Sequence, residues 1–122
     1  MIARVGEPAV APPVALYVHV PFCVSICPYC DFVVVAGAET KGPRSRIPRF
    51  VRAIQRELEL RADRLDAAFG VGRAPLRSLY LGGGTPTLLP TKAVAALVDL
   101  VVQRFGLEPS AEVTIEANPD PD

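Results

Sequence analysis

VALYVHVPFCVSICPYC, residues 14–30, decides how this chain is read. Its first seven residues are rich in β-branched side chains and alternate, so Leu16, Val18 and Val20 share one face of a strand and Tyr17 and His19 the other. Pro21 ends the ladder. Phe22 opens a loop holding every cysteine of the chain, Cys23, Cys27 and Cys30, spaced C-x3-C-x2-C. Thiolates are soft ligands that suit iron–sulfur clusters, zinc or Cu(I). Three so close can converge on one ion or on three corners of a cubane, leaving one iron open to a small-molecule chelator. Zinc is the rival, because His19 stands four residues before Cys23 and completes a Cys3His set. Such a set lies within twelve residues and would staple almost nothing together. The odd cysteine count argues against a disulfide framework.

Working outward, residues 1–13 read as an extended N-terminal leader and residues 14–122 as one domain. Phe32 to Val35 is apolar, followed by a loop with Gly37, Gly42 and Pro43. A helix is predicted over residues 48–69, with Pro48 in its first turn and Val51, Ile54, Leu58 and Leu65 near a helical period. Arg52, Arg56, Glu59 and Asp63 supply its expected solvated face. A second strand is predicted at residues 77–81 (RSLYL), followed by Gly82, Gly83, Gly84, Thr85 and Pro86. Residues 90–105 are predicted helical, with Val94, Leu97, Val98, Val101 and Phe105 in one stripe and Gly106 as the stop. A third strand is predicted at residues 111–117 (AEVTIEA), with Val113 and Ile115 on one face and Glu112, Thr114 and Glu116 on the other. The sequence stops just after it, which reads as a truncated piece of a longer protein.

The order β-loop-α-β-α-β implies a parallel sheet with helices as right-handed crossovers. Each strand pairs an apolar face with a polar one carrying Tyr17, His19, Tyr80, Thr114 or Glu116. That pattern suits a barrel wall with a polar lumen better than a flat sheet covered on both sides. The special loops after Val20, Leu81 and Ala117 all follow C-terminal strand ends, where barrel active sites sit.

Composition narrows the function. The chain has 122 residues, half of them hydrophobic, with 13 basic and 13 acidic side chains and no formal net charge. No basic run stands out, so nucleic acid is not an expected partner. No apolar stretch approaches the roughly 20 residues of a membrane span, and nothing resembles a signal peptide. Free thiols that bind metal fit a reducing cytoplasm.

Three glycines after a strand let a ligand approach the backbone, and exposed N–H and C=O groups there can bind a charged head group. Alone, GGGTP describes a structural turn as well as a site, and it lacks the lysine of a P-loop. Glu116 alone is an ordinary surface glutamate. Cysteine loop, glycine turn and terminal glutamate at successive strand ends are far more specific together.

LYVHVPFCVSICPYCDF, LYLGGGTPTLL and VTIEANPD together resemble the radical S-adenosylmethionine (SAM) proteins, and within them the oxygen-independent coproporphyrinogen III oxidase group. The resemblance covers most of residues 14–122. It implies an α/β fold, the first three βα-type units of a partial (β/α) barrel. It further implies that Cys23, Cys27 and Cys30 hold a [4Fe-4S] cluster whose open iron is chelated by SAM. By the same resemblance Tyr17 lies beside cluster and SAM, Tyr29 meets the adenine through its backbone, and Gly83, Gly84 and Thr85 receive the methionine end. Glu116 takes the ribose hydroxyls. Gly82 is expected to serve turn geometry, and His19 has no assigned role beyond lining the lumen.

One departure is informative. Decarboxylating members of the group carry a further cysteine two residues after the third ligand, where this chain has Phe32. The form CPYCDF is typical of related haem chaperones. The resemblance therefore implies a SAM- and haem-binding chaperone, with haem-acceptor proteins and an electron donor as partners. The alternative is oxidative decarboxylation of porphyrinogen propionates through a 5′-deoxyadenosyl radical. No catalytic residue is assigned on either reading.

Overall fold

The computed structural model describes residues 11–23, 35–36 and 45–117. Strand β1 (Ala15–Val20) leads through Pro21 into a short β2 (Phe22–Cys23), which pairs in parallel with β3 (Val35–Ala36). Helix α1 (Ile47–Phe69) follows, then β4 (Leu76–Gly83), a 3-10 turn (Pro86–Leu88), helix α2 (Thr91–Arg104) and β5 (Leu107–Ile115). The main sheet is β1-β4-β5, and both of its pairings are parallel. The predicted α/β order and parallel sheet are therefore what the chain forms.

Both helices cover one face of this sheet. Val18, Val20, Leu79 and Leu81 project from the strands into one cluster with Leu58 and Ala62 of α1 and Leu97 and Val101 of α2. Phe105, just past α2, closes its lower end. The period-2 alternation of β1 decides which side is buried: Val18 and Val20 are buried while Tyr17 is 54% exposed. Ile47 begins α1 one residue before the predicted start and is itself buried, with Pro48 in the first turn.

Two strands are longer than their patterns suggest. β4 continues through Gly82 and Gly83, because both residues are held in register against His19 and Val20 of β1. β5 begins at Leu107, but its pairing jumps from Leu76↔Leu107 to Ser78↔Glu112. Pro109 lies in that interval and cannot donate to the ladder, so regular pairing starts near the predicted boundary. On β5 the side chains of Val113 and Ile115 are 53% and 42% exposed. The apolar face of this strand is thus only partly covered by the two helices.

The charges of α1 are not all solvated. Arg104, in the last turn of α2, bonds Asp63 at 2.7 Å and Asp66 at 3.2 Å and also pairs with Glu59. Arg73 pairs with Asp66 and donates to the Arg104 carbonyl at 2.9 Å. Glu59 and Asp63, expected to face only water, instead join α1 to α2. A cation at a helix C-terminus also opposes the partial negative charge there. The Arg73 guanidinium, with Arg104 beside it, holds the Asp66 carboxyl below its ordinary value of 3.8.

Two outcomes follow for stability. Leu97→Ala removes a side chain that is 2% exposed, and the fold should lose about 2–5 kcal/mol in denaturant titration. Asp66 has a lowered folded pKa, so its contribution is present above the unfolded pKa and lost as pH falls through the folded one. Acid titration of the Asp66→Asn variant should therefore show a shallower loss of stability below about pH 4 than the parent.

Candidate functional site

The site assembles where β1, β4 and β5 end. The β1–β4 register places Tyr17 opposite Tyr80, His19 opposite Gly82 and Val20 opposite Gly83. Tyr17 and Tyr80 point away from the helices, as alternation requires, and their rings stack with centroids 5.7 Å apart at 28°. The Tyr17 hydroxyl is hydrogen-bonded to His19 Nδ1 at 3.1 Å. Glu116 follows directly on β5. Its N–H donates to the Leu81 carbonyl at 2.9 Å, which brings the side chain over the end of β4.

The glycines divide the work. Gly82 is a strand residue, and its function is space, not the turn geometry expected of it. A Cβ there would overlap Glu116 Oε1 and come within 2.6 Å of Tyr80 Cε1 and 3.1 Å of Tyr17 Cε2. The turn geometry belongs to Gly83, whose φ of +109° is a region that side-chain-bearing residues avoid. A Cβ on Gly83 would also lie 2.5 Å from His19 Cε1. His19, which had no assigned role, thus packs directly under the glycine turn.

Backbone bonds tie this turn to the neighbouring segments. The Gly83 N–H donates to Glu116 Oε1 at 2.8 Å, the Gly84 N–H to the Val20 carbonyl at 2.7 Å and the Thr85 N–H to the Phe22 carbonyl at 2.6 Å. The last bond anchors the turn one residue before Cys23. Thr85 is buried at 5% exposure, has a partner and precedes the 3-10 turn, so it fixes the turn's exit.

The electrostatics centre on Glu116. Burial raises the Tyr80 hydroxyl above its ordinary pKa, and the adjacent Glu116 carboxylate and then Tyr17 push in the same direction. The Tyr80 phenol therefore stays protonated beside a carboxylate. Together these groups place an acceptor for hydroxyls, an aromatic pair and a glycine turn side by side, with the turn's amides bonded to Glu116, Val20 and Phe22. Tyr80 was legible only as a member of the polar strand face; its contact with Glu116 needs the third strand in place.

Tyr17, Gly83, Gly84, Thr85 and Glu116 are brought together at one end of the sheet. Cys27, Cys30 and Tyr29 lie outside the described residues, and for Cys23 only the backbone, at the end of β2, is described. Among the described residues there is no group of three or more His, Cys, Asp or Glu side chains fit to hold a metal ion. No helix of the described residues is long and apolar enough to cross a membrane.

No family model matches the chain. Individual proteins do. It is 42% identical over 122 residues to the heme chaperone HemW of Mycobacterium tuberculosis, covering 97% of this chain and 29% of that protein. To the heme chaperone HemW of Escherichia coli it is 37% identical, over 88% of this chain and 26% of the relative. It is 40% identical to radical S-adenosyl methionine domain-containing protein 1, mitochondrial, of Bos taurus, over 86% of this chain and 21% of that protein. Among solved structures, coproporphyrinogen III oxidase (HemN) of E. coli, a radical SAM enzyme, matches with a TM-score of 0.75 and 28% identity, over 92% of this chain and 24% of HemN. Sequence and fold agree along nearly the whole chain, and it belongs with the HemW-like radical SAM proteins, of whose length it spans about a quarter.

Proposed function

We propose that this chain supplies the cluster- and SAM-binding part of a cytoplasmic HemW-like haem chaperone, with residues 14–122 as part of its radical SAM domain. The observation that supports it most is the backbone bond from Thr85 to the Phe22 carbonyl, with Glu116 on the Gly83 amide. It joins the glycine turn, the acidic strand end and the segment that begins the cysteine stretch into one rigid corner. Cys23, Cys27 and Cys30 are the ligands of a [4Fe-4S] cluster, which supplies an open iron and a one-electron couple when bound. At Gly82 and Gly83 the missing Cβ lets Glu116, Tyr80, Tyr17 and His19 close against the glycine turn, which sets the Glu116 carboxylate at the strand ends. There Gly83, Gly84 and Thr85 face the methionine end of SAM, with Tyr17 beside it and the Tyr29 backbone at the adenine. Glu116 accepts from the ribose hydroxyls, and the protonated Tyr80 phenol keeps that carboxylate in place. Haem and haem-acceptor proteins are the chaperone's cargo and clients.

Phe32 favours the chaperone over a porphyrinogen decarboxylase, since the oxidase group carries a cysteine there. The fold match to HemN favours the second reading, oxidative decarboxylation of porphyrinogen propionates. Assaying the intact protein for haem transfer and for porphyrinogen decarboxylation separates the two. Transfer without CO2 release supports the chaperone, and CO2 release supports the oxidase.

Anaerobic reconstitution should give about four irons per chain, and Cys23→Ala, Cys27→Ala or Cys30→Ala should each abolish it. Stoichiometric zinc without iron would return the site to the Cys3His reading. Calorimetry on the reconstituted protein should show Glu116→Ala weakening SAM roughly ten- to a hundredfold, the range for losing a hydrogen bond to a charged acceptor. Gly82→Val and Gly83→Val should weaken SAM while leaving iron content near that of the parent. Unchanged affinity in all three variants would remove the pocket from this corner.

A further inference from the structure

The strand register lays out the polar face of the sheet in rows. Tyr17, Tyr80 and Thr114 stand side by side, since Tyr17 pairs with Tyr80 and Tyr80 with Thr114. His19 and Gly82 pair one step nearer the strand ends, where the Glu116 side chain leans over Gly82. Tyr80 stands two residues before the first of the three glycines, and the family resemblance gives it no part. One side of its ring is held by the stack on Tyr17, and its edge meets the Glu116 carboxylate above Gly82. The phenol donates a hydrogen bond to that carboxylate. Burial first, and the charge of Glu116 next, keep the phenol protonated, so it remains a donor.

The number of acceptor sites then matters. A carboxylate offers about four lone-pair sites on its two oxygens. The Gly83 amide takes one, at 2.8 Å, and the Tyr80 phenol takes another. That leaves about two, which is the number of hydroxyls in a vicinal diol. Both donors are neutral, so they hold the carboxylate without cancelling its charge.

We infer that Tyr80 is a positioning residue that acts through Glu116 and makes this corner selective for a nucleoside with a free, uncharged vicinal diol. The inference rests on the placement of SAM's ribose at Glu116 proposed above, and it adds what sets the selectivity there. A sugar lacking one hydroxyl leaves an acceptor of the fixed carboxylate unfilled. A phosphate on the sugar brings a like charge against it. Without the phenol, the carboxylate loses one of its two fixed donors and can turn away from either misfit, so both penalties shrink. The stack on Tyr17 needs only the ring, so loss of the hydroxyl separates the two contributions of Tyr80.

The test uses the intact reconstituted protein. SAM binding is measured by calorimetry, with adenosine, 2′-deoxyadenosine and adenosine 3′-phosphate as competitors. The parent should favour adenosine over the other two by at least about tenfold. Tyr80→Phe should weaken SAM roughly three- to tenfold and narrow the preference for adenosine by a similar factor. Its iron content and unfolding midpoint should stay those of the parent. Adding Tyr80→Phe to Glu116→Ala should cost nothing beyond Glu116→Ala alone, because the phenol works through the carboxylate. Parent-like SAM affinity and sugar preference in Tyr80→Phe, while Glu116→Ala binds SAM weakly, overturn the inference. Additive losses in the double variant overturn it too. So does weakened SAM binding in Tyr80→Phe with the sugar preference intact, the mark of a merely structural role. Undiminished SAM binding in Glu116→Ala overturns the placement of the ribose instead, and the two failures are thereby told apart.

Discussion

The parallel pairing of β1 with β4 is the constraint on which the site depends. It sets His19 against Gly82 and Val20 against Gly83, so the two strands end together. Because they end together, the Gly84 and Thr85 amides reach the carbonyls of Val20 and Phe22. A one-residue slip would turn Val18 and Val20 out of the core and Tyr17 and His19 into it, losing the hydrophobic face and the polar face at once. The apolar cluster beneath the sheet therefore protects the register, and the register builds the corner above it.

The glycines show how the same backbone serves both ends. Gly82 gives room for Glu116, Tyr80 and Tyr17 to converge, while Gly83 turns the chain at a positive φ directly over His19. With the carboxylate already on the Gly83 amide and the phenol beside it, the polar groups are placed before any ligand arrives. Such preorganisation lowers the ordering cost of binding. The ion network of Arg104, Arg73 and the acids of α1 fastens the opposite end of the helix pair.

Much was legible along the chain. The alternation of β1 named both its faces, and the stripe from Val94 to Phe105 named α2. These are local signals, since strand and helix periods are written within a few residues. The local reading also erred in instructive ways. Gly82 looked like a turn residue because glycine clusters usually are, yet ladder pairing with β1 carries the strand through it. Glu59 and Asp63 looked solvated because their partner, Arg104, lies about forty residues away in sequence.

What the sequence alone determined is the order of elements and the buried face of each strand. Each depends only on neighbours a few positions apart. The tertiary structure alone decided that Tyr80 meets Glu116, that His19 lies under Gly83 and that Thr85 is tied to Phe22. These pairs join residues from different strands, and their meeting is set by strand order and register. No local period encodes either one. They follow from the helices closing over a single apolar face and holding three strand ends level.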